Sequence, residues 1–165
     1  MKKKAFTLIE LMVVIAIIGV LLAVVSPQVF RQLNKGKTAA CEQFYAAVKT
    51  SATSFYSDTM NWPSTTANFL QNDTAASWTA SWDGPYLDRW QAANPWGGTY
   101  SWTSATSTIF GGSAGERYIT VTSVPAADAA RLDLHIDGVA GSGAGWVRYS
   151  GTTVTILVSR DGPVS

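Results

Sequence analysis

The sharpest chemical question in this chain attaches to Glu10. It is the single charged side chain in the apolar run Phe6–Val25. A carboxylate in a lipid-spanning segment costs about 2.5–3.5 kcal/mol at a helix centre, so a partner charge is expected. Other reactive side chains read as structural. His135 is the only histidine and stands beside no Ser or Cys motif. Cys41 is the only cysteine, which excludes an intrachain disulfide, and it reads as a small apolar filler on a helix. Asn72-Asp73-Thr74 matches the glycosylation sequon, a triplet common by chance. No phosphate loop, paired zinc ligands or nucleotide fingerprint is present, so no enzyme is expected.

The element that must position Glu10 is the run itself. Phe6 to Val25 is long enough to cross about 30 Å of hydrocarbon as a helix. Lys2, Lys3 and Lys4 would hold its start in the cytoplasm, leaving the bulk of the chain outside. Formal net charge is +1, and without those three lysines acidic residues outnumber basic ones. No bulk attraction to nucleic acid follows. Charged residues are sparse at 14%, which suits an extracytoplasmic β-rich domain. Three readings of the run compete. A cleaved secretory signal lacks its small-x-small site, because Ala23-Val24-Val25 leads into Ser26-Pro27. A plain anchor leaves Glu10 unexplained. A prepilin-type segment is the third.

Lys-Lys-Lys-Ala-Phe-Thr-Leu-Ile-Glu-Leu-Met-Val-Val-Ile-Ala-Ile-Ile-Gly-Val-Leu resembles the N-terminus of type IV pilins and type II secretion pseudopilins. The resemblance covers about the first 30 residues. It implies a leader over 1–5, cut between Ala5 and Phe6 by a prepilin peptidase, and N-methylation of Phe6. The family nearly always has Gly before the cut, where this chain has Ala5. Cutting frees an α-amine of reference pKa about 7.7–8.0. On the family's pattern Glu10 pairs with the Phe6 amine of a neighbouring subunit, and the i to i+4 pair within one helix is also reachable. A buried pair need not be net stabilising, so register is the larger benefit. Residues 6–27 then form a transmembrane and filament-core helix, and 28–165 an extracytoplasmic globular domain. Pro27 should kink or break the helix, and Gly19 weakens it. In related filaments the stretch corresponding to Gly19–Pro27 can lose helical structure on assembly.

Beyond Pro27 an amphipathic pattern continues through Val29, Leu33, Ala40, Phe44, Val48, Ala52 and Phe55, ending near Asp58. The helix from Phe6 would be about 80 Å long. Asn61–Gly98 reads as a long loop rich in Ser, Thr, Asn, Pro and Trp. Strands are expected at Thr99–Ser104, Tyr118–Val124, Trp146–Tyr149 and Thr153–Val158, with a short helix at Ala126–His135. The fold class is therefore α+β, pilin-like: a long N-terminal helix, membrane-spanning in its first half, packed on a small antiparallel sheet.

The loop carries a second resemblance. Gly84-Pro85-Tyr86-Leu87 and Asn94-Pro95-Trp96-Gly97-Gly98-Thr99-Tyr100 are similar to the major pseudopilin of type II secretion, with Asn94 where that family has Asp. Asn can still accept the local turn hydrogen bond, and Trp96 is expected to plug the core. Major pseudopilins usually carry an Asp-rich calcium loop. The nearest acids here are Asp128, Asp133 and Asp137, and Asp133 with Asp137 are the candidate ligands, against a solvated face with Asp137-Gly138 as a turn. No other cofactor is expected. The reading is a non-enzymatic subunit of a type IV pilus-like filament; the alternatives are a major pseudopilin and a membrane-anchored Trp-rich binding module. Expected partners are copies of itself, the prepilin peptidase, an inner-membrane platform with its ATPase, and the membrane before assembly. The expected location is the inner membrane as a single-pass protein, then an extracellular or periplasmic filament.

Overall fold

The computed structural model describes residues 6–106, 109–111, 115–139, 141 and 143–160, with the side chains of 24–27 outside the description. The first helix, α1, runs Leu8–Thr59. Four strands and a second helix follow: β1 Tyr100–Thr106, β2 Gly115–Val121, α2 Ala126–Asp137, β3 Val147–Ser150 and β4 Thr153–Arg160. The chain divides into two compact units, 1–36 and 37–165, with the division inside α1.

The first unit is α1 up to Gly36. Its start is set by Thr7-x-x-Glu10, a capping box. The Thr7 amide donates to Glu10 Oε2 at 2.9 Å and the Thr7 hydroxyl to the same oxygen at 2.7 Å. The Glu10 amide donates back to Thr7 Oγ1 at 3.4 Å. The helical run continues through Pro27 and is bent between Ala23 and Gln28, so the proline kinks the helix and does not end it.

In the second unit the rest of α1 buries one stripe. Thr38, Cys41, Tyr45, Val48, Ala52, Phe55 and Thr59 are buried at alternating spacings of three and four. That alternation holds one face at 3.6 residues per turn, whereas steps of four drift around the helix. The expected stripe is corrected accordingly: Phe44, Val48, Ala52 and Phe55 are buried, but Val29, Leu33 and Ala40 are exposed. Cys41 lies within the stripe and is fully buried.

The sheet is antiparallel throughout, in the order β1-β2-β4-β3. Trp102 pairs with Ile119, and Ile119 with Ile156, placing large apolar residues in one row. These join Phe44, Val48, Phe69, Val121, Leu132 and Val154 in one core. β2 begins at Gly115, three residues before the expected start, and Glu116 within it is fully buried. It stops at Val121, because Ser123 turns left-handed at φ 62°. Helix α2 ends at Gly138, φ 76°, a conformation that favours glycine. The 61–98 loop holds two short 3-10 turns, Thr66–Phe69 and Thr79–Ser81.

Candidate functional site

The N-terminal helix presents its chemistry on an uncovered apolar rod. Every described residue from Phe6 to Ala23 is exposed, with Phe6 at 83% and Leu8 at 77%. Each large side chain of this run, taken out of water, contributes about 1.5–3 kcal/mol. No single described helix is long and apolar enough to cross a membrane. The bent pair Leu8–Ala23 and Gln28–Thr59 passes together, by length and composition. Glu10 sits on the first turn with its carboxylate held by Thr7. In the isolated chain its partner is therefore the helix cap. The sequence reading did not name Thr7, although the Thr-x-x-Glu spacing before an apolar run is the signal for it. At Gly19 a Cβ would meet open space, so packing among the described residues of its unit does not require the glycine. Ala5 lies outside the described residues, as does the side chain of Pro27.

The loop motifs are tied to the second unit at several points. The Tyr86 and Leu87 amides both donate to the Phe69 carbonyl, at 2.9 and 3.2 Å. The Ser51 hydroxyl on α1 donates to the Tyr86 carbonyl at 2.6 Å, and the Tyr86 hydroxyl to Asp58 at 2.8 Å. Burial pushes the Tyr86 phenol up, opposed by the Asp83 amide and aided by the Asp58 hydrogen bond and the charges of Asp58 and Asp83. Around Asn94 the chain closes a tight turn. Asn94 Oδ1 accepts from the Trp96 and Gly98 amides at 2.9 and 3.1 Å. Its amide group donates to the Thr122 carbonyl at 2.7 Å and toward the Thr99 carbonyl at 3.4 Å. The acceptor role follows from the sequence; the donor role comes from a strand end far along the chain. Gly98 must be glycine here, since a Cβ would collide with the Thr122 carbonyl oxygen. Trp96 is half-buried against the core and does not fill it; its Nε1 donates to Asp128 at 2.9 Å.

The three acids of α2 have different duties. Asp128 is buried and also accepts from Arg131 at 2.7 Å. Asp137 accepts from the Trp146 amide at 2.8 Å and the Val147 amide at 3.0 Å, fastening the start of β3 to the end of α2. Asp133 is fully buried and accepts from the Gly141 amide at 2.5 Å. Burial pushes its carboxyl up, as do the charge and hydrogen bond of Asp137, against the Gly141 amide and the Arg148 charge. The structure thus brings Asp133 and Asp137 together as fasteners of the 138–147 loop. Calcium takes six to eight oxygens, and among the described residues no group of three or more His, Cys, Asp and Glu could hold a metal.

His135 Nδ1 lies 2.7 Å from Glu42 Oε1, joining α2 to α1 within the second unit. Burial pushes the Cys41 thiol up to about 11, with Tyr100 opposing and Glu42 adding, which removes it as a nucleophile at neutral pH. Trp90 and Trp102 pack on the core. Trp90 meets Phe44 edge-on at 5.3 Å, Trp102 meets Phe69 at 5.1 Å, and Trp102 Nε1 donates to the Pro63 carbonyl at 2.8 Å.

Comparison with known proteins gives two family matches: the family described as PilW, C-terminal, over residues 32–114, half of the chain, and the prokaryotic N-terminal methylation motif over residues 1–26. A curated relative, type II secretion system core protein G of Pseudomonas aeruginosa, is 27% identical over 104 residues, 61% of this chain and 73% of that protein. A solved structure, the major type IV pilin PilA1 from Clostridium difficile, superposes with a TM-score of 0.45 at 21% identity. It covers 77% of this chain and 97% of that one.

Proposed function

The chain belongs to the family described as PilW, C-terminal, and carries the prokaryotic N-terminal methylation motif; on that premise we propose how it is processed and assembled. It is a structural subunit of the pilin and pseudopilin class. On our reading the bond between Ala5 and Phe6 is cut by a prepilin peptidase and Phe6 is methylated. The chain waits as a single-pass inner-membrane protein and is then drawn into a helical filament of its own copies by a platform and an ATPase. The observation that carries this reading is the rod of exposed apolar side chains with one acid, Glu10, on its first turn. A rod that no other described part of its own unit covers is stabilised by lipid before assembly and by neighbouring rods after it.

In the filament, Glu10 exchanges its Thr7 cap for the freed Phe6 amine of a neighbour. The exchange sets register: a copy shifted along the axis leaves the carboxylate without its charge partner. The stretch Gly19–Pro27, where the helix is bent, is the segment that loosens on assembly. The role is structural and not catalytic. The test is Glu10→Ala in cells. The variant should insert in the membrane at the parental level yet yield no filament by electron microscopy. Normal filaments from the variant would overturn the reading.

A second reading, subunit of a secretion pseudopilus, is favoured by the similarity to core protein G and by the Pro85-Tyr86-Leu87 and Asn94–Gly98 turns. Deleting the gene separates the two. Loss of surface filaments supports the pilus, and loss of exoprotein secretion with surface filaments intact supports the pseudopilus.

A further inference from the structure

We propose that the second unit carries a binding site for an acidic sugar, built on Arg148, Arg160 and Trp146. The three side chains line a cleft of about 510 Å³ between the end of β4, Phe110 and the glycine-rich turn 143–145. Arg148 is anchored by Nη1, which donates to the Gly145 carbonyl at 2.8 Å and the Val147 carbonyl at 3.2 Å, and its guanidinium lies over the Phe110 ring at 5.1 Å. Arg160 Nη1 donates to the Phe110 carbonyl at 2.8 Å. Carbonyl oxygens fix the direction of a guanidinium but do not neutralise it. Among the described residues no acidic side chain lines the cleft. The charge of Arg148 reaches the buried Asp133, which lies outside the cleft lining and accepts from the Gly141 amide, and Asp137 lines the neighbouring hollow with its oxygens taken by the Trp146 and Val147 amides. Glu116 is buried and accepts from the Phe110 amide.

Two positioned guanidiniums call for an oxyanion, and the planar fork of arginine suits a carboxylate taken by two parallel hydrogen bonds. The cleft is larger than a bare ion needs and falls in the range of small-molecule sites, about 300–1,000 Å³. Its rim supplies the rest of the recognition. Trp146 is 41% exposed, and Lys49 Nζ lies 4.5 Å from its ring centroid. An indole wall accepts the C–H face of a pyranose ring while the ring hydroxyls meet the exposed backbone of the glycine turn. A carboxylate on a sugar ring, as in a uronic acid, meets all three features. This inference stands on the second unit alone and does not depend on the filament reading.

Glucuronate titrated into the full-length protein in detergent micelles tests it, with glucose and inorganic sulfate as comparison probes. Saturation-transfer NMR reads the sugar protons and tryptophan fluorescence reads the rim. Glucuronate should saturate and glucose should not. Arg148→Gln and Arg160→Gln should each weaken glucuronate at least about tenfold. Trp146→Ala should weaken glucuronate while leaving sulfate unchanged. Circular dichroism checks that each variant folds; if Arg148→Gln does not, Arg160→Gln decides. Equal binding of glucose and glucuronate, binding of sulfate alone, or undiminished glucuronate binding in folded Arg160→Gln overturns the proposal.

Discussion

Asn94→Asp replaces a side chain that donates and accepts with one that only accepts. It isolates the point where this chain departs from the loop motif it resembles. Asn94 is buried and makes four side-chain contacts. Two survive the change and gain strength, because a carboxylate accepts from the Trp96 and Gly98 amides at least as well as a carbonyl oxygen does. The other two reverse. An oxygen now faces the Thr122 carbonyl across the 2.7 Å that an N–H spans, with Thr99 beyond. A buried acceptor left without its donor costs about 1–3 kcal/mol. Setting the strengthened amide bonds against that loss, we expect a net cost of about 2 kcal/mol at pH 7, or roughly 5–10 °C in Tm for a domain of this size. The cost should depend on pH. Repulsion from the two carbonyls raises the folded-state pKa of the introduced aspartate above its ordinary value near 3.9. Its protonated form donates to Thr122 as the asparagine did. The stability lost by the variant is therefore present at low pH and disappears as pH rises through the raised pKa. Thermal melts of parent and variant at pH 4 and pH 7, read by tryptophan fluorescence, check this. A variant as stable as the parent at pH 7, or a deficit that grows on acidification, would refute the reasoning.

Asp133→Asn keeps the acceptor for the Gly141 amide and supplies an N–H toward Asp137 in place of a proton. Because the folded-state carboxyl is pushed up from 3.8, its stabilising neutral form is present below that value and lost as pH rises through the raised pKa. The variant should therefore melt above the parent at pH 7 and level with it near pH 3.5, and a gain confined to acid would contradict the assignment. Thr7→Ala removes the hydroxyl of the capping box, at about 1 kcal/mol. Amide hydrogen exchange at residues 8–11 should speed up roughly fivefold in micelles, with the melting of the second unit unchanged.

How far the sequence carried the fold depended on how local the determining forces were. The four strands are legible because runs such as Tyr118–Val124 and Thr153–Val158 alternate or cluster β-formers, and pairing follows from that pattern. The beginning of β2 was not legible. Glu116 reads as a solvated charge, yet it is fully buried and accepts from the Phe110 amide. The stripe of α1 runs through Cys41 and not Ala40, because steps of four drift around a helix of 3.6 residues per turn. Pro27 was read as a kink or a break, and the bend shows the kink. At the N-terminus the Thr7-x-x-Glu10 spacing was in view, but the cost of the acid pointed outward to another subunit and away from the local cap. The duty of Asp137 as a loop fastener was hidden because its donors, the amides of Trp146 and Val147, are backbone groups that no residue type announces.

The proposed processing makes Phe6 the first residue, and its amine the partner of Glu10. Mass spectrometry of the N-terminal peptide from cell-derived protein tests that directly. The peptide should begin at Phe6 and carry one methyl group on its amine. A peptide that retains Met1 through Ala5 in assembled filaments would contradict it.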